Sequence, residues 1–183
     1  MIYISLIFLL LISTGAIRSQ IDLPNNVESS VFGVQTGLVG IWGYHELGLN
    51  EKWVLRSEIG LDASVWAGHD KNITILSSPV MALDARWYYN IQRRAEKGKS
   101  TSANAADFLT VRTAFHLQDR SNMAIHNLNQ PFIALAYGLK RNLGMSFNYE
   151  LGLGGGLGFG KENIIPTPYL HARIGWHADQ TDH

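Results

Sequence analysis

One stretch of the chain, Trp53 to Trp66, alternates strictly between two kinds of side chain. Successive side chains of a β-strand point to opposite faces, so one face is almost wholly apolar and the other carries Arg56, Glu58 and Asp62. Strands of soluble proteins usually have about five or six residues, and about 9–11 residues cross a bilayer at a tilt. The stretch therefore predicts a long, two-faced strand that can span a membrane.

The same alternation recurs along most of the chain. Six further strands are predicted at Phe32–Glu46, Ile73–Asn90, Leu109–His116, Ile133–Lys140, Met145–Gly154 and Tyr169–His177. Bacterial membrane barrels have an even number of strands, so an eighth is expected, either within Gln118–Gln130 or before Phe32. Gln92–Ala106 is expected to be a polar connector. Pro79 lacks an amide hydrogen, which predicts a bulge or a ragged strand end.

The distribution of charge decides which face points outward. From the second predicted strand onward, the apolar faces carry no charged residue, and every strand charge lies on the opposite face. A charge facing lipid at the midplane costs about 2–4 kcal/mol, so lipid demands such an uncharged exterior. Aromatic residues near the ends of this face are typical of interfacial girdles: Trp53, Trp87, Tyr89, Phe115 and Trp176. The predicted fold is all-β, an antiparallel up-and-down barrel of eight strands embedded in a membrane.

The polar face predicts a narrow interior filled by side chains. Four arginines and four carboxylates share it, and buried charges must pair because an unpaired one costs several kcal/mol. The predicted interior ion-pair network consists of Arg56, Glu58, Asp62, Asp84, Arg86, Arg112, Glu150 and Arg173. Glu58 and Arg86 lie on neighbouring strands and are expected to be direct partners.

The N-terminal segment of the chain predicts export. Residues 1–19 hold an apolar core followed by small residues, the order of a secretory signal peptide. A short polar leader is expected over 20–30, the barrel over 31–178 and a polar tail over 179–183. No later segment has about 18 uninterrupted apolar residues, so no transmembrane helix is predicted. The predicted location is the cell outer membrane, with its lipid as the partner.

Composition excludes several classes of function. The formal net charge is +0 at pH 7, so the chain lacks the basic surface that a nucleic-acid partner requires. Cysteine is absent, which excludes disulfides, thiolate metal sites, cysteine nucleophiles and lipoprotein acylation. No cofactor and no metal site are predicted.

Three segments are similar to an uncharacterised family of outer-membrane β-barrel proteins from Bacteroidota. They are LRSEIGLD at Leu55–Asp62, ARWYYNIQRRAEKGK at Ala85–Lys99 and LHARIGW at Leu170–Trp176, and FGVQTGLVGIW at Phe32–Trp42 is similar too. The resemblance covers most of the mature chain and implies barrel strands and a turn, without an activity to carry over. Family members tend to end on an aromatic just after the last strand, whereas HADQTDH follows Trp176 here.

Other candidate sites have weaker signals. A rim-site lipid hydrolase needs His, Ser and an acid, for which His116, Ser146 and Glu150 are available, although their spacing does not favour them over other choices. His45 is expected on a polar face. The glycine run at 152–160 lacks the Lys-Ser/Thr of a phosphate loop and fits a bending strand better. A basic turn is expected either to be solvated or to contact lipid headgroups or the cell-wall polymer: Arg93, Arg94, Lys97 and Lys99.

Two main functional hypotheses follow. The first is a small outer-membrane barrel with a packed, ion-paired interior and a structural or interaction role, which is not an enzyme. The alternative is an exported, soluble, lipocalin-like barrel that binds an apolar ligand, with the two faces reversed. The first is favoured because the second would place the charges and five interior-face glycines on the exterior.

Overall fold

The alternating segments pair edge to edge until the sheet closes on itself. The structure is a computed structural model. It describes residues 26–37, 40–67, 73–116, 131–144, 146–159 and 163–178, and for residues 63–67 and 73–77 it describes the backbone alone. Within these residues the strands are β1 (Ser30–Gly37), β2 (Gly40–Gly48), β3 (Trp53–Ala67), β4 (Ile73–Trp87), β5 (Asp107–His116), β6 (Phe132–Asn142), β7 (Phe147–Phe159) and β8 (Ile164–His177). The predicted signal peptide, residues 20–25 of the leader, Gln118–Gln130 and the tail lie outside them.

Each strand is antiparallel to the next, and β1 pairs with β8 to close the barrel in the order β1 to β8. The predicted all-β, eight-stranded, up-and-down barrel is therefore confirmed. The pairing is staggered: a path through directly opposite residues from Gly33 on β1 arrives at Ile165 on β8, whereas Gly33 itself pairs with His177. Closure requires such a stagger together with tilted strands, so each strand runs obliquely around the interior.

The predicted single strand Phe32–Glu46 is wrong. This segment is a hairpin in which Gly37 pairs with Gly40, and it supplies both β1 and β2. The tight connection reverses the phase of the alternation, so Phe32 is exposed while Trp42 and Tyr44, predicted on the same face, are buried. The eighth strand thus comes from within this segment and not from a separate strand before Phe32, whereas the other position predicted for it, Gln118–Gln130, lies outside the described residues.

Pro79 lies within β4, and the described residues show neither the predicted bulge nor an end of the strand there. It pairs with Leu61 in an unbroken ladder between β3 and β4, while the described ladder between β4 and β5 begins at Val80. Pro79 therefore has a strand neighbour on one side among the described residues. A proline is tolerated there because its missing amide hydrogen need not break a ladder.

The connector between β4 and β5 folds over one end of the barrel, which we call the capped end. It contains a short helix, α1 (Ile91–Glu96), and a 3-10 turn, Ser102–Asn104. Apolar residues of the connector, the leader and the strand ends form a buried core there: Val27, Val54, Tyr88, Ile91, Ala106 and Phe108. The expected polar connector is thus a folded cap with one apolar face. No helix in the described part of the chain is long and apolar enough to cross a membrane.

Asn104 ties the cap to both the leader and the barrel interior. Its Nδ2 donates to Glu46 Oε2 at 2.8 Å, and its Oδ1 accepts from the backbone N–H of Glu28 at 2.7 Å. Glu28 in turn accepts from the Ala103 N–H through Oε1 at 2.6 Å. Asn104 has a left-handed φ of 60°, which asparagine adopts more readily than most residues. One buried side chain therefore fixes three parts of the chain.

Replacement of Asn104 is expected to destabilise the cap. Asn104→Ala leaves Glu46 Oε2 and the Glu28 N–H short of a partner, at a cost of about 1–3 kcal/mol for a buried group. Urea unfolding of the protein folded in detergent measures this loss. Ser102→Ala is the matched control, because Ser102 lies in the same turn with its side chain exposed. Equal unfolding midpoints for the two variants would contradict the proposed anchoring role.

Candidate functional site

The half of the barrel interior nearest the capped end is filled by charged side chains. Nine of them, each at most 7% exposed, form what we call the ion-pair cluster: the cations Arg56, Arg86, Arg112, Lys140 and Arg173 and the carboxylates Glu46, Glu58, Asp84 and Glu150. They come from seven different strands, β2 to β8, because the inward-facing positions of neighbouring strands meet across the narrow lumen.

Arg56 contacts three of the four carboxylates of the cluster. Its Nη1 lies 2.9 Å from Glu46 and 3.3 Å from Glu150, and its Nε lies 2.6 Å from Glu58. Its Nη2 donates to Gln35 Oε1 at 2.6 Å. The guanidinium also lies over the Tyr44 ring, 3.9 Å from its centroid. A planar group with five donors can satisfy three carboxylates and an amide at once, which lysine cannot.

Glu58 gathers three guanidiniums in the middle of the lumen. Besides Arg56, it binds Arg112 Nη2 at 2.6 Å and Arg173 Nη1 at 2.8 Å. Arg112 Nη1 extends the chain of ion pairs to Asp84 at 2.9 Å. Charge-assisted hydrogen bonds of this length are about twice as strong as neutral ones.

Glu46 joins the cluster to the cap. Lys140 Nζ lies 3.1 Å from Glu46 Oε1, and the Tyr88 hydroxyl donates to the same oxygen at 3.3 Å. Burial raises the pKa of Tyr88, and the negative charge of Glu46 adds to the rise, so the phenol remains a neutral donor. Glu46 therefore receives hydrogen bonds from the wall, the cap and the cluster.

The expected partnership between Glu58 and Arg86 is not made. Arg86 Nη2 binds Asp84 at 3.0 Å and Glu150 at 2.9 Å, and its guanidinium lies over Phe108 of the cap-side core. The register explains the difference. Arg86 pairs with Val54, four residues along β3 from Glu58, so its side chain lies nearer the capped end.

The structure brings seven of the eight residues predicted for the network together and leaves one apart. Asp62 lies further from the capped end, where its carboxylate binds Trp42 and His116. Two members of the cluster, Glu46 and Lys140, were not predicted. Glu46 was missed because the prediction of a single strand over Phe32–Glu46 placed its side chain on the same, apolar face as Phe32. The signal for Lys140 was available, since it shares its inward phase with Ala136 and Gly138.

The four residues of the basic turn have different roles. Arg94 Nε donates to the carbonyl of Ala105 at 2.8 Å and its Nη2 to that of Ser100 at 3.2 Å, so Arg94 holds the two ends of the cap together. The side chains of Arg93, Lys97 and Lys99 are exposed. The surface available to a partner thus contains three of the four cations.

The residues considered for a hydrolase do not assemble. His116 ends β5 at the end of the barrel opposite the cap, which we call the loop end, whereas Ser146 precedes β7 at the capped end. Glu150 is held by Arg56 and Arg86 within the cluster. His45, predicted on a polar face, lies outside and stacks on Phe32 at 4.1 Å, because the hairpin reversed the phase of β2.

Glycines provide the space that the large interior groups occupy. A Cβ on Gly138 would collide with the Phe108 ring, and one on Gly152 with the His171 ring. The glycine run expected to be a bending strand is part of β7, which continues to Phe159. No group of three potential metal ligands occurs among the described residues.

Comparisons with protein-family models, curated proteins and solved structures return no match. The class of the protein is therefore defined by its own architecture, a closed eight-stranded barrel with buried ion pairs inside and an apolar exterior.

Glu58 and Arg112 are expected to be energetically coupled. Removing one partner of a buried pair leaves the other charge uncompensated, which costs about 3–5 kcal/mol. In a double-mutant cycle of Glu58→Gln and Arg112→Gln, measured by urea unfolding in detergent, the double variant should lose less than the sum of the singles. The control cycle pairs Glu58→Gln with Arg86→Gln, which do not touch, and its coupling should be smaller. Full additivity of Glu58 and Arg112 would show that they are not partners.

Proposed function

We propose that the protein is a small outer-membrane β-barrel with a structural or interaction role, whose ion-pair cluster is a rigid scaffold and not a catalytic centre. The observation that carries the proposal is the inversion of the usual distribution of residues. The most deeply buried large side chains include Arg56, Arg86 and Lys140, while large apolar side chains cover the exterior. Water-soluble domains rarely bury Lys and Arg and rarely expose extended apolar surfaces.

The exposed apolar side chains follow the barrel wall around its circumference. Ile59 on β3 is 64% exposed, Leu135 on β6 69%, Leu153 on β7 60% and Ile174 on β8 48%. In water, each would add to an unfavourable apolar surface, and together they exceed what a monomeric soluble protein shows. Lipid accommodates this band, since outer-membrane barrels carry an apolar exterior about 25 Å tall.

An aromatic band at the capped end supports an orientation. Trp53 stacks on Trp87 at 6.2 Å, and Trp87 contacts Tyr89 at 6.0 Å. Trp176 and Phe147 are directly opposite on β8 and β7 at the same end. Such rings collect at the membrane–water interface, and barrels keep their short turns on the periplasmic side. We place the capped end in the periplasm, because β1 begins and β8 ends there and two of its three connections are the short turns 49–52 and 143–146.

The exposed cations of the cap fit this orientation. α1 begins two residues after Tyr89 of the aromatic band, so Arg93, Lys97 and Lys99 lie close to the interface. Anionic lipid headgroups attract basic side chains near a membrane surface by about 1 kcal/mol each. These three residues are the proposed headgroup contacts.

The soluble, lipocalin-like alternative has less support. An apolar ligand needs an apolar lining, whereas the half of the lumen next to the cap is lined by ion pairs and the apolar side chains face outward. Export by the signal peptide at residues 1–19 and kinship with the Bacteroidota barrel family belong to the proposal on the strength of the sequence alone.

A charge in the middle of the outer face is expected to prevent membrane assembly. Ile59→Arg places a cation on the proposed lipid-facing surface, at a cost of about 2–4 kcal/mol near the midplane. The measurement is the amount of protein in the outer-membrane fraction that shows heat-modifiable gel mobility. Ile59→Phe and Leu143→Arg, the latter in an exposed turn at the capped end, should assemble nearly normally. Recovery of wild-type barrel outside the membrane fraction, or equal assembly of Ile59→Arg, would contradict the proposal.

The folded barrel is expected not to conduct ions. The cap closes one end with a buried apolar core, and ion-paired side chains fill the lumen behind it. Planar-bilayer recordings of the reconstituted protein should therefore lack a steady, reproducible conductance step. A well-defined single-channel step would mean that the cap or the cluster opens in the membrane.

A further inference from the structure

The lumen towards the loop end contains a second polar group, separate from the ion-pair cluster. His116 Nε2 lies 2.9 Å from Asp62 Oδ2, and Trp42 Nε1 donates to Asp62 Oδ1 at 2.7 Å. An ionised carboxylate only accepts, so the hydrogen shared with His116 belongs to Nε2. Asp62 is thereby oriented by two donors, and Nδ1 of His116 is the ring nitrogen that does not face Asp62.

A serine lies on the strand that this hydrogen bond crosses. Asp62 is on β3 and His116 on β5, so their side chains meet above β4, which runs between them. The residue of β4 directly opposite Asp62 is Ser78, and His116 is opposite Val80, two positions further along. Opposite residues have Cβ atoms about 4.5–5.5 Å apart, and diagonal ones are within reach of a long side chain.

Ser78 has no short hydrogen bond to any of the described residues. It is 6% exposed and faces the lumen, and its hydroxyl makes a long 3.5 Å contact with the carbonyl of Pro79. Ser78 and His116 are not hydrogen-bonded to each other in this structure, so the reaction requires the Ser78 hydroxyl to leave the Pro79 carbonyl and turn towards the imidazole. Catalytic hydrogen bonds are often long or poorly aligned before substrate binds.

The position in the barrel gives access to this group. The side chains of His116 and Asp62 are 26% and 29% exposed, in contrast to the buried cluster. Asp62 is also the last residue of β3 that pairs with β2 among the described residues, through Gly40. Among the described residues, β3 continues beyond this point with β4 as its sole neighbour. A step in the wall therefore adjoins Asp62.

We propose that Ser78, His116 and Asp62 form a nucleophilic centre that cleaves acyl esters. Ser78 Oγ attacks the carbonyl carbon while its proton passes to His116 Nδ1, and His116 then protonates the leaving alkoxide as the C–O bond breaks. Water attacks the resulting acyl-serine, gives a proton to His116, and the acid leaves as Ser78 recovers that proton. Ser78 and His116 are the catalytic residues, and Asp62 and Trp42 position the imidazole.

The substrate class rests on the proposed membrane location. A site beside a step in the wall of a membrane barrel lies where the ester of an amphiphile can approach from the bilayer surface, with its acyl chain still among the lipids. We therefore assign the site to acyl esters of amphiphilic molecules. The nucleophilic centre itself can be tested in detergent, independently of that location.

The test uses the full chain folded in detergent, with a fluorophosphonate probe that labels activated serines and p-nitrophenyl esters of increasing acyl length. Labelling is expected at Ser78, located by mass spectrometry, and both labelling and ester cleavage should disappear in Ser78→Ala. Removing the general base in His116→Gln should slow both by about 10²–10⁴-fold. Asp62→Asn should also slow both, with partial recovery in Asp62→Glu. Ser57→Ala, whose serine is on the outer face of β3, is the matched control and should react like the wild type.

Each variant is compared at equal amounts of heat-modifiable barrel, so a folding defect is distinguished from a chemical one. Absence of labelling in the folded wild type, labelling that persists in Ser78→Ala, or wild-type rates in His116→Gln would overturn the centre. Cleavage of short soluble esters with no preference for long chains would overturn the amphiphile assignment. Failure of membrane assembly would contradict the proposed location and leave the labelling result to stand by itself.

Discussion

Charge compensation inside the barrel is the constraint on which the rest of the structure depends. Five cations and four carboxylates are buried in a lumen too narrow for much water, and an uncompensated buried charge costs several kcal/mol. Each guanidinium must therefore reach its carboxylates in a set geometry, which permits one strand register. A shift of one residue would turn Arg56 or Glu58 out of the lumen, so the cluster specifies the pairing of the strands as much as it stabilises them.

The exterior follows from the same constraint. Because side chains alternate, every inward charge has an outward neighbour on each side. Most of these neighbours are apolar on the strands that carry the cluster, and the exceptions are His45, Ser57, Thr113 and Arg141. The interior glycines complete the arrangement, since Gly138 leaves room for Phe108 beneath Arg86. A packed polar interior and an apolar exterior are thus two consequences of one alternating pattern.

Much of this could be predicted from the sequence, because alternation is a local signal. The faces of β3 to β8 and most of the cluster follow from counting residues along Trp53–Trp66 and its counterparts. The hairpin at 32–46 could not be recognised in this way, since its tight connection reverses the phase while the apolar residues continue, which concealed Glu46. The cap was also missed, because Ile91 and Phe108 meet only when β4 and β5 are paired. The Asp62–His116 contact joins β3 to β5 across β4 and has no local signal at all.

The unequal strand lengths add a constraint on how the barrel can sit in lipid. β1 ends at Gly37, opposite Arg173, so the part of β8 from Ile164 to Ala172 has β7 as its sole partner among the described residues. Unpaired backbone groups are too costly to expose to hydrocarbon. In a membrane, this edge must lie above the hydrocarbon or be covered. Pro166 and Pro168 occur on that stretch, where a missing amide hydrogen removes one group that needs a partner. The turn of the β1–β2 hairpin would then mark the membrane boundary at the loop end. Asp62 pairs with Gly40, the first residue of β2, and would lie at that boundary.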